Sequence, residues 1–375
     1  MKKMVLTGAA GLLGWHTRVR LHAHNCAARF SGEPEPFDIF ALDREGFNDD
    51  QTLASAIAGA DVILHFAGVN RGNPESVEQA NKAIAHRLVA ACQRVASKPH
   101  IVYANSIHAG LDTPYGRSKK AAEEIIRSFD PTFANLLLSH VFGEFARPDY
   151  NNVTATFIDR IIHGNESSIA AGGVVHLIHA GQVARDAIEV GLARTSGDIH
   201  FQARQINVPE LYEKILSFGR DYRGAIIPEL HDPFEVQLFN SFRAALFPSR
   251  TPNPLHLSTD HRGVLFEAVK TVGGGQTFLS WTEPGGTRGN HFHLQKVERF
   301  LVLQGEAKIR IRRVLNSEVH AFDVSGSAPA VVDIPTLHAH SIENTGSGPL
   351  LTLFWANEIF DPNSPDTYAD PVLAE

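Results

Sequence analysis

Lys3-Met4-Val5-Leu6-Thr7-Gly8-Ala9-Ala10-Gly11-Leu12-Leu13-Gly14 opens the chain with a short apolar run and then three glycines at intervals of three. The run Lys3–Leu6 reads as a β-strand, and the pattern from Gly11 to His24 reads as a helix. Between them Gly8 permits a tight turn, Gly11 lets backbone approach a pyrophosphate, and Gly14 lets helix and sheet pack closely. The helix N-terminus then faces the phosphates. Taken alone, three glycines could be no more than a tight βα turn. Their place directly after the first strand favours the phosphate-binding reading.

Outward from this turn the rhythm continues. Strand patterns at Phe37–Leu42, Asp61–Phe66, Ile101–Ala104 and Ala134–Leu138 alternate with helical patterns at Glu78–Ala96 and Lys119–Ser128. Such alternation implies parallel βαβ units in an α/β Rossmann-like, doubly wound sheet. A last helical pattern, Asp232–Leu246, precedes Phe247–Pro254, which holds three prolines in eight residues. That stretch is the expected domain boundary, giving domains 1–247 and 255–375. Beyond it the chain changes to short alternating segments: Gly263–Lys270, Gln276–Trp281, Glu298–Gln304, Glu306–Arg312, Ala330–Ile334 and Leu350–Trp355. These predict an all-β barrel or sandwich. Lys308, Arg310 and Arg312 alternate with Ile309 and Ile311, which reads first as a solvated outer face and second as an anion site.

Composition narrows the function. The 375 residues suit about two domains. Net charge is −7, with scattered Lys and Arg, the reverse of a nucleic-acid binder. No apolar run approaches the roughly 18 residues of a membrane span. Two cysteines, Cys26 and Cys92, fit a reducing cytoplasm. The expected partner is a small molecule, with no nucleic acid and no membrane.

Two constellations carry chemistry. The first is Tyr115-Gly116-Arg117-Ser118-Lys119, preceded nine residues earlier by Ser106 at the end of a strand. At a helix start Tyr115 and Lys119 lie one turn apart on one face. A carbonyl that receives hydride develops charge on oxygen; Tyr115 can give it a proton, and Ser106 can hydrogen-bond it. Lys119 would lower the phenol pKa. Asp43, ending the second strand, suits a ribose diol and NAD, whereas Arg44 beside it suits a 2′-phosphate. The balance leans to NADP(H). The second constellation is His291-Phe292-His293, then Glu298, then His340. Residues two apart on a strand share a face, so three imidazoles and a carboxylate can converge. That set suits Zn²⁺ and also other divalent transition metals. His338 shares a face with His340 and is the poorer candidate.

The glycine turn with Ser106 and Tyr115-x-x-x-Lys119 resembles the extended short-chain dehydrogenase/reductase family, as do His65-Phe66-Ala67-Gly68 and Val141-Phe142-Gly143. The resemblance implies cofactor contacts by Gly8, Gly11, Leu12, Leu13, Gly14, Asp43, Arg44, Ala67 and Gly68, joined by Tyr115 and Lys119. The histidine spacing resembles both cupin motifs, with Leu337 where the second motif usually has glycine. Together, and with Arg147-Pro148-Asp149-Tyr150-Asn151-Asn152 and Trp355-Ala356-Asn357-Glu358, the chain is similar to the CapF/WbjC-type bifunctional enzymes of bacterial N-acetyl-L-fucosamine nucleotide synthesis. That resemblance implies a homodimer using NADPH and Zn²⁺ on a UDP-4-keto-6-deoxy-N-acetylhexosamine. The cupin would invert C3 and the reductase would reduce C4, giving UDP-2-acetamido-2,6-dideoxy-L-talose. Lys296 stands at the matching place for proton transfer at C3; its rival reading is an exposed turn residue. Other readings are a reductase/epimerase for another 4-keto sugar nucleotide, an Fe(II) or Ni(II) cupin dioxygenase, and a redox- and metal-sensing non-enzyme.

Overall fold

The computed structural model describes residues 1–373; Ala374 and Glu375, the end of the expected second domain, lie outside the described residues. The chain forms two compact units, residues 1–156 with 170–208, and residues 157–169 with 209 onward. In chain order the first part runs β1 (Lys2–Thr7), α1 (Leu12–Phe30), β2 (Phe37–Leu42), α2 (Arg44–Asn48), α3 (Asp50–Ile57), β3 (Val62–His65), α4 (Pro74–Arg94), β4 (His100–Ser106), α5 (Pro114–Phe129) and β5 (Ala134–Leu138). There follow β6 (His140–Phe142), α6 (Val153–His163), β7 (Val174–His179), α7 (Ala180–Ala193), β8 (Gly197–His200), β9 (Arg204–Asn207), α8 (Val208–Arg223) and α9 (Pro233–Leu246).

In the first unit six strands pair in the order β2-β1-β3-β4-β5-β8, every pairing parallel. Because side chains alternate across a strand, one face carries Val5, Ile63, Ile101 and Tyr103, which pack on Leu53 and Ile57 of α3, Leu88 of α4 and Ile126 of α5. The other carries Met4, Leu6, Leu64, Val102 and Leu136, which pack on Leu21 of α1 and Val183 and Ile188 of α7. Burial on both faces accounts for the continuous apolar runs of these strands. This is the doubly wound sheet the sequence predicts.

The second unit holds two five-stranded sheets. One is ordered 253–254, 330–334, 298–304, 350–356, 276–282; the other is 319–325, 306–313, 338–344, 287–292, 368–369. Phe300, Val302, Val332 and Phe354 from the first meet Ile309, Ile311 and Ile342 from the second in one core. This antiparallel region is a cupin-type barrel. Lys308, Arg310 and Arg312 pair with Asp323, Glu343 and Asp370, so that basic face is neutralised by neighbouring carboxylates.

The proline-rich stretch expected as a boundary lies inside the second unit. The physical reason is a buried ionic lattice. Arg299 places two nitrogens on the Asp333 carboxylate, at 2.7 and 2.9 Å, and a third on the Ala225 carbonyl. The Tyr222 hydroxyl donates to the same carboxylate at 2.5 Å, and Arg243 donates to the Ile334 carbonyl. Such groups are costly to bury singly and stable when mutually satisfied, so α8 and α9 are held to the barrel.

Candidate functional site

The glycine turn is built by close approach. Gly8 has a φ of +69°, and a Cβ there would stand 2.7 Å from the Ala67 nitrogen. A Cβ on Gly14 would stand 2.2 Å from the Gly8 carbonyl oxygen. Gly11 is the N-cap of α1 with extended backbone and no side-chain cap. The first amides of α1, on Leu12 and Leu13, are therefore left for an anion. Thr7 ties the turn to the loop after β3: its hydroxyl meets His65 Nδ1 at 2.7 Å and accepts from the Ala67 nitrogen at 3.3 Å.

Ala67 and Gly68 lie in that loop, where a Cβ on Gly68 would be 4.0 Å from Lys119 Nζ. Asn81, on the apolar stripe of α4, holds the loop. Its side chain accepts from the Val69 nitrogen at 2.9 Å and donates to the Val69 carbonyl at 2.8 Å and to Ser118 Oγ at 2.9 Å. Sequence reading missed Asn81; a buried amide among Val77, Ala85 and Leu88 was the available signal.

Thr113 caps α5, accepting from the Gly116 nitrogen, and Pro114 starts it, so Tyr115 and Lys119 stand on successive turns. Burial raises the Tyr115 pKa, and a hydrogen bond with Ser106 opposes that rise. Ser106 also caps the short 107–110 turn, accepting from the His108 nitrogen at 3.1 Å. Lys119 Nζ donates to the Ala104 carbonyl at 2.6 Å and lies 4.4 Å from the Tyr103 ring. Burial pushes its pKa down to about 7. Asp43 caps α2 through the Gly46 nitrogen at 2.9 Å, while Arg44 begins that helix exposed to solvent.

In the second unit His291 sits opposite His340 on paired strands, with a register shift between Gly289 and His291. The bulged Asn290 takes a φ of +56° and re-aims the strand end that carries the histidines. Glu298 begins the neighbouring strand of the other sheet. One nitrogen or oxygen from each of His291, His293, Glu298 and His340 lies within 4.8 Å of the others. His293 Nε2 is 2.9 Å, and His340 Nε2 3.4 Å, from the same Glu298 oxygen. The His340 nitrogen is buried without a well-formed hydrogen bond. Three imidazoles crowd one carboxylate, so the set fits a divalent cation. Burial, then its imidazole neighbours, lowers the His291 pKa to about 3, which keeps it a neutral ligand. Burial would raise the Glu298 carboxyl, but His293 overcomes it and holds the group well below its usual range.

Leu337 keeps the conformation a glycine would take, at φ +63°, donating to the His293 carbonyl and accepting from the Val314 nitrogen. His338 is turned elsewhere, with Nδ1 on the Thr336 carbonyl and its ring against Phe247. Lys296 is buried rather than exposed; Nζ donates to the Pro365 carbonyl at 2.7 Å and lies 3.9 Å from Glu358.

Comparison with known proteins agrees with this two-part architecture. Residues 4–191 match the NAD dependent epimerase/dehydratase family, and residues 258–368 match the polysaccharide biosynthesis C-terminal domain. A Pseudomonas aeruginosa protein named UDP-2-acetamido-2,6-beta-L-arabino-hexul-4-ose reductase is 30% identical over 98% of each chain. The capsular polysaccharide assembling protein CapF from Staphylococcus aureus is similar in structure, with a TM-score of 0.59 at 30% identity, covering 98% of this chain and 99% of that one. A structure of CapF with the inhibitor 3-isopropenyl-tropolone gives 0.56 at 28% identity, with the same coverage. The chain is an oxidoreductase that belongs to the NAD-dependent epimerase/dehydratase family and, over 98% of its length, to the CapF type of capsular polysaccharide enzymes.

Proposed function

We propose that this enzyme acts on a UDP-2-acetamido-2,6-dideoxy-4-hexulose in two steps, inversion at C3 and then reduction at C4 to UDP-2-acetamido-2,6-dideoxy-L-talose. The observation that carries the reading is the coexistence of two chemically complete sets in one chain. One is the proton donor Tyr115 with Ser106 and Lys119; the other is the converging donor set His291, His293, Glu298 and His340. By sequence the reductase function is assigned to residues 1–247 and the metal function to 255–375, although α8 and α9 pack with the latter.

The nicotinamide, when bound, supplies hydride, and NADPH is the favoured form. Asp43 already spends one carboxylate oxygen on the α2 cap, and exposed Arg44 is left for a 2′-phosphate. Gly8, Gly11, Leu12, Leu13 and Gly14 would hold the pyrophosphate, with Ala67 and Gly68 along its far side. Tyr115 holds the proton for the C4 oxygen, Ser106 hydrogen-bonds that oxygen, and Lys119, its pKa brought down to about 7 by burial, adds positive charge beside it only in its protonated form. A divalent metal such as Zn²⁺ at the four-residue site supplies Lewis-acid stabilisation of carbonyl charge. Lys296, buried two residues from Glu298, is the group assigned to move the C3 proton. The edge strand 276–282 exposes Leu279 and Trp281 on one face, which supports self-association as a homodimer through this face. Cys26 and Cys92 are both free and buried, in keeping with a reducing cytoplasm.

The order follows from chemistry. A C3 proton is acidic only while the C4 carbonyl can delocalise the resulting charge. The test is solvent exchange in D₂O without NADPH. Wild type and Tyr115→Phe should place deuterium at C3 of the keto sugar, and Tyr115→Phe should still bind NADPH but not oxidise it. His291→Ala should lose the exchange. Deuterium incorporation by His291→Ala at the wild-type rate would remove the epimerase assignment.

A further inference from the structure

The loop from His293 to Glu298 carries two of the four converging ligands, and its shape is imposed from 70 residues away in sequence. Asp366 accepts three consecutive backbone amides of that loop: Leu294 on one carboxylate oxygen, Gln295 and Lys296 on the other, each at 2.9 Å. Its main-chain carbonyl meets His293 Nδ1 at 2.5 Å. One residue thus grips the loop through side chain and backbone together. It does so in a left-handed conformation, at φ +42°, which lets both groups face the same loop. A strained backbone of this kind persists only where its surroundings over-determine it.

The surroundings do. Ahead of Asp366, Asn357 exchanges hydrogen bonds with Val297, accepting from its nitrogen at 2.8 Å and donating to its carbonyl at 3.2 Å. After it, Tyr368 and Ala369 pair with Phe292 and His291, and the Asp370 nitrogen donates to the Asn290 carbonyl. Arg312 pins Asp370 at 3.0 Å. The segment 357–370 is therefore a strap fastened on both sides of the ligand loop, with Asp366 at its centre.

We infer that Asp366 is a positioning residue for the metal site: it fixes the His293 tautomer and holds the 293–298 loop at the spacing that lets His293 and Glu298 bind one ion. The Nδ1 proton of His293 is committed to the Asp366 carbonyl, so Nε2 is the nitrogen presented beside Glu298. Outer-shell partners of this type commonly contribute 10- to 100-fold in metal affinity. The inference rests on the reading that the four residues bind a metal.

The test uses the full-length protein, stripped of metal and titrated with Co²⁺ alone against a competing chelator. Asp366→Ala should weaken Co²⁺ binding about 10- to 100-fold. It should also speed solvent exchange of the paramagnetically shifted His293 N–H proton more than that of amides elsewhere in the second unit, whereas a general loss of stability would speed both alike. Asp361→Ala, on the same strap but with a carboxylate that accepts from the Asn363 nitrogen and not from the ligand loop, should leave both unchanged. Wild-type affinity and N–H exchange in Asp366→Ala, or equal losses in Asp361→Ala, would overturn the inference. If Asp366→Ala does not fold, Asp366→Asn decides. Its single acceptor oxygen cannot serve all three amides, so affinity should fall severalfold, and wild-type affinity refutes the role. Failure of the wild-type protein itself to bind Co²⁺ would instead sink the metal reading.

Discussion

Gly14→Ala is the most direct trial of the N-terminal site, because the structure gives its size. The added Cβ would lie 2.2 Å from the Gly8 carbonyl oxygen and 2.7 Å from the Ala9 Cα. Non-bonded heavy atoms settle near 3.5 Å, so the start of α1 must retreat by about 1 Å. Both obstacles are backbone, and the Gly8 carbonyl also accepts the Gly11 nitrogen at 3.0 Å, so neither can swing aside. Overpacking of this kind costs about 1–3 kcal/mol, against a gain of up to about 1 kcal/mol from replacing glycine within a helix. The clash wins. The same retreat carries the Leu12 and Leu13 amides away from the phosphates, and each 1.4 kcal/mol lost there is about tenfold in affinity. Fluorescence titration should find NADPH binding weakened at least about tenfold, and melting of the first unit should fall by several degrees. Gly172→Ala, which would meet nothing within 4 Å, serves as the neutral control, and Co²⁺ titration should not change in either variant. Wild-type NADPH affinity in Gly14→Ala would refute the placement of the pyrophosphate on this turn.

Acidification should destabilise the first unit well above the range where carboxylates titrate. Burial lowers the His16 pKa from 6.5 to about 4, partly offset by Glu144, and burial with Lys119 lowers His65 to about 3. The unfolded chain therefore binds these two protons first, and stability is lost as pH falls below 6.5. At 1.36 kcal/mol per pH unit for each group, the loss between pH 7 and pH 5 is about 4 kcal/mol. His179 at 2.9 Å holds the Glu144 carboxyl down to about 2 despite burial, so that contribution persists until still lower pH. Thermal melts at pH 7 and pH 5 check this, and equal midpoints would contradict it. Leu337→Gly should destabilise the second unit although it removes a left-handed leucine. Relief of the backbone is worth about 1–2 kcal/mol, whereas emptying a site 3% exposed costs about 2–5 kcal/mol. A higher melting temperature in that variant would reverse the balance.

What was legible in the sequence is what local physics writes locally. Phe37–Leu42, Ala134–Leu138, Glu298–Gln304 and Ala330–Ile334 form strands with the expected bounds, because each is apolar on the faces its sheet buries. The helix at Tyr115 starts earlier than its apolar pattern suggested, since Thr113 and Pro114 set its first turn rather than hydrophobic spacing. The converging histidines are legible because strand alternation fixes which way each side chain points, and Leu337 did not prevent it: burial outweighs the cost of its φ. What stayed hidden depends on partners far along the chain. Nothing near Asp333 announces that Arg299 and Tyr222 will share its carboxylate, yet that lattice decides which helices pack with the barrel. Nothing near His293 announces Asp366, 73 positions away. Nothing near Asp43 announces its bond with the Gly46 amide, which becomes available only once α2 forms. A carboxylate's role is thus fixed by which backbone amides the fold leaves without other acceptors. Such amides are products of tertiary structure, which is why ligand types could be read from spacing while the groups that hold those ligands could not.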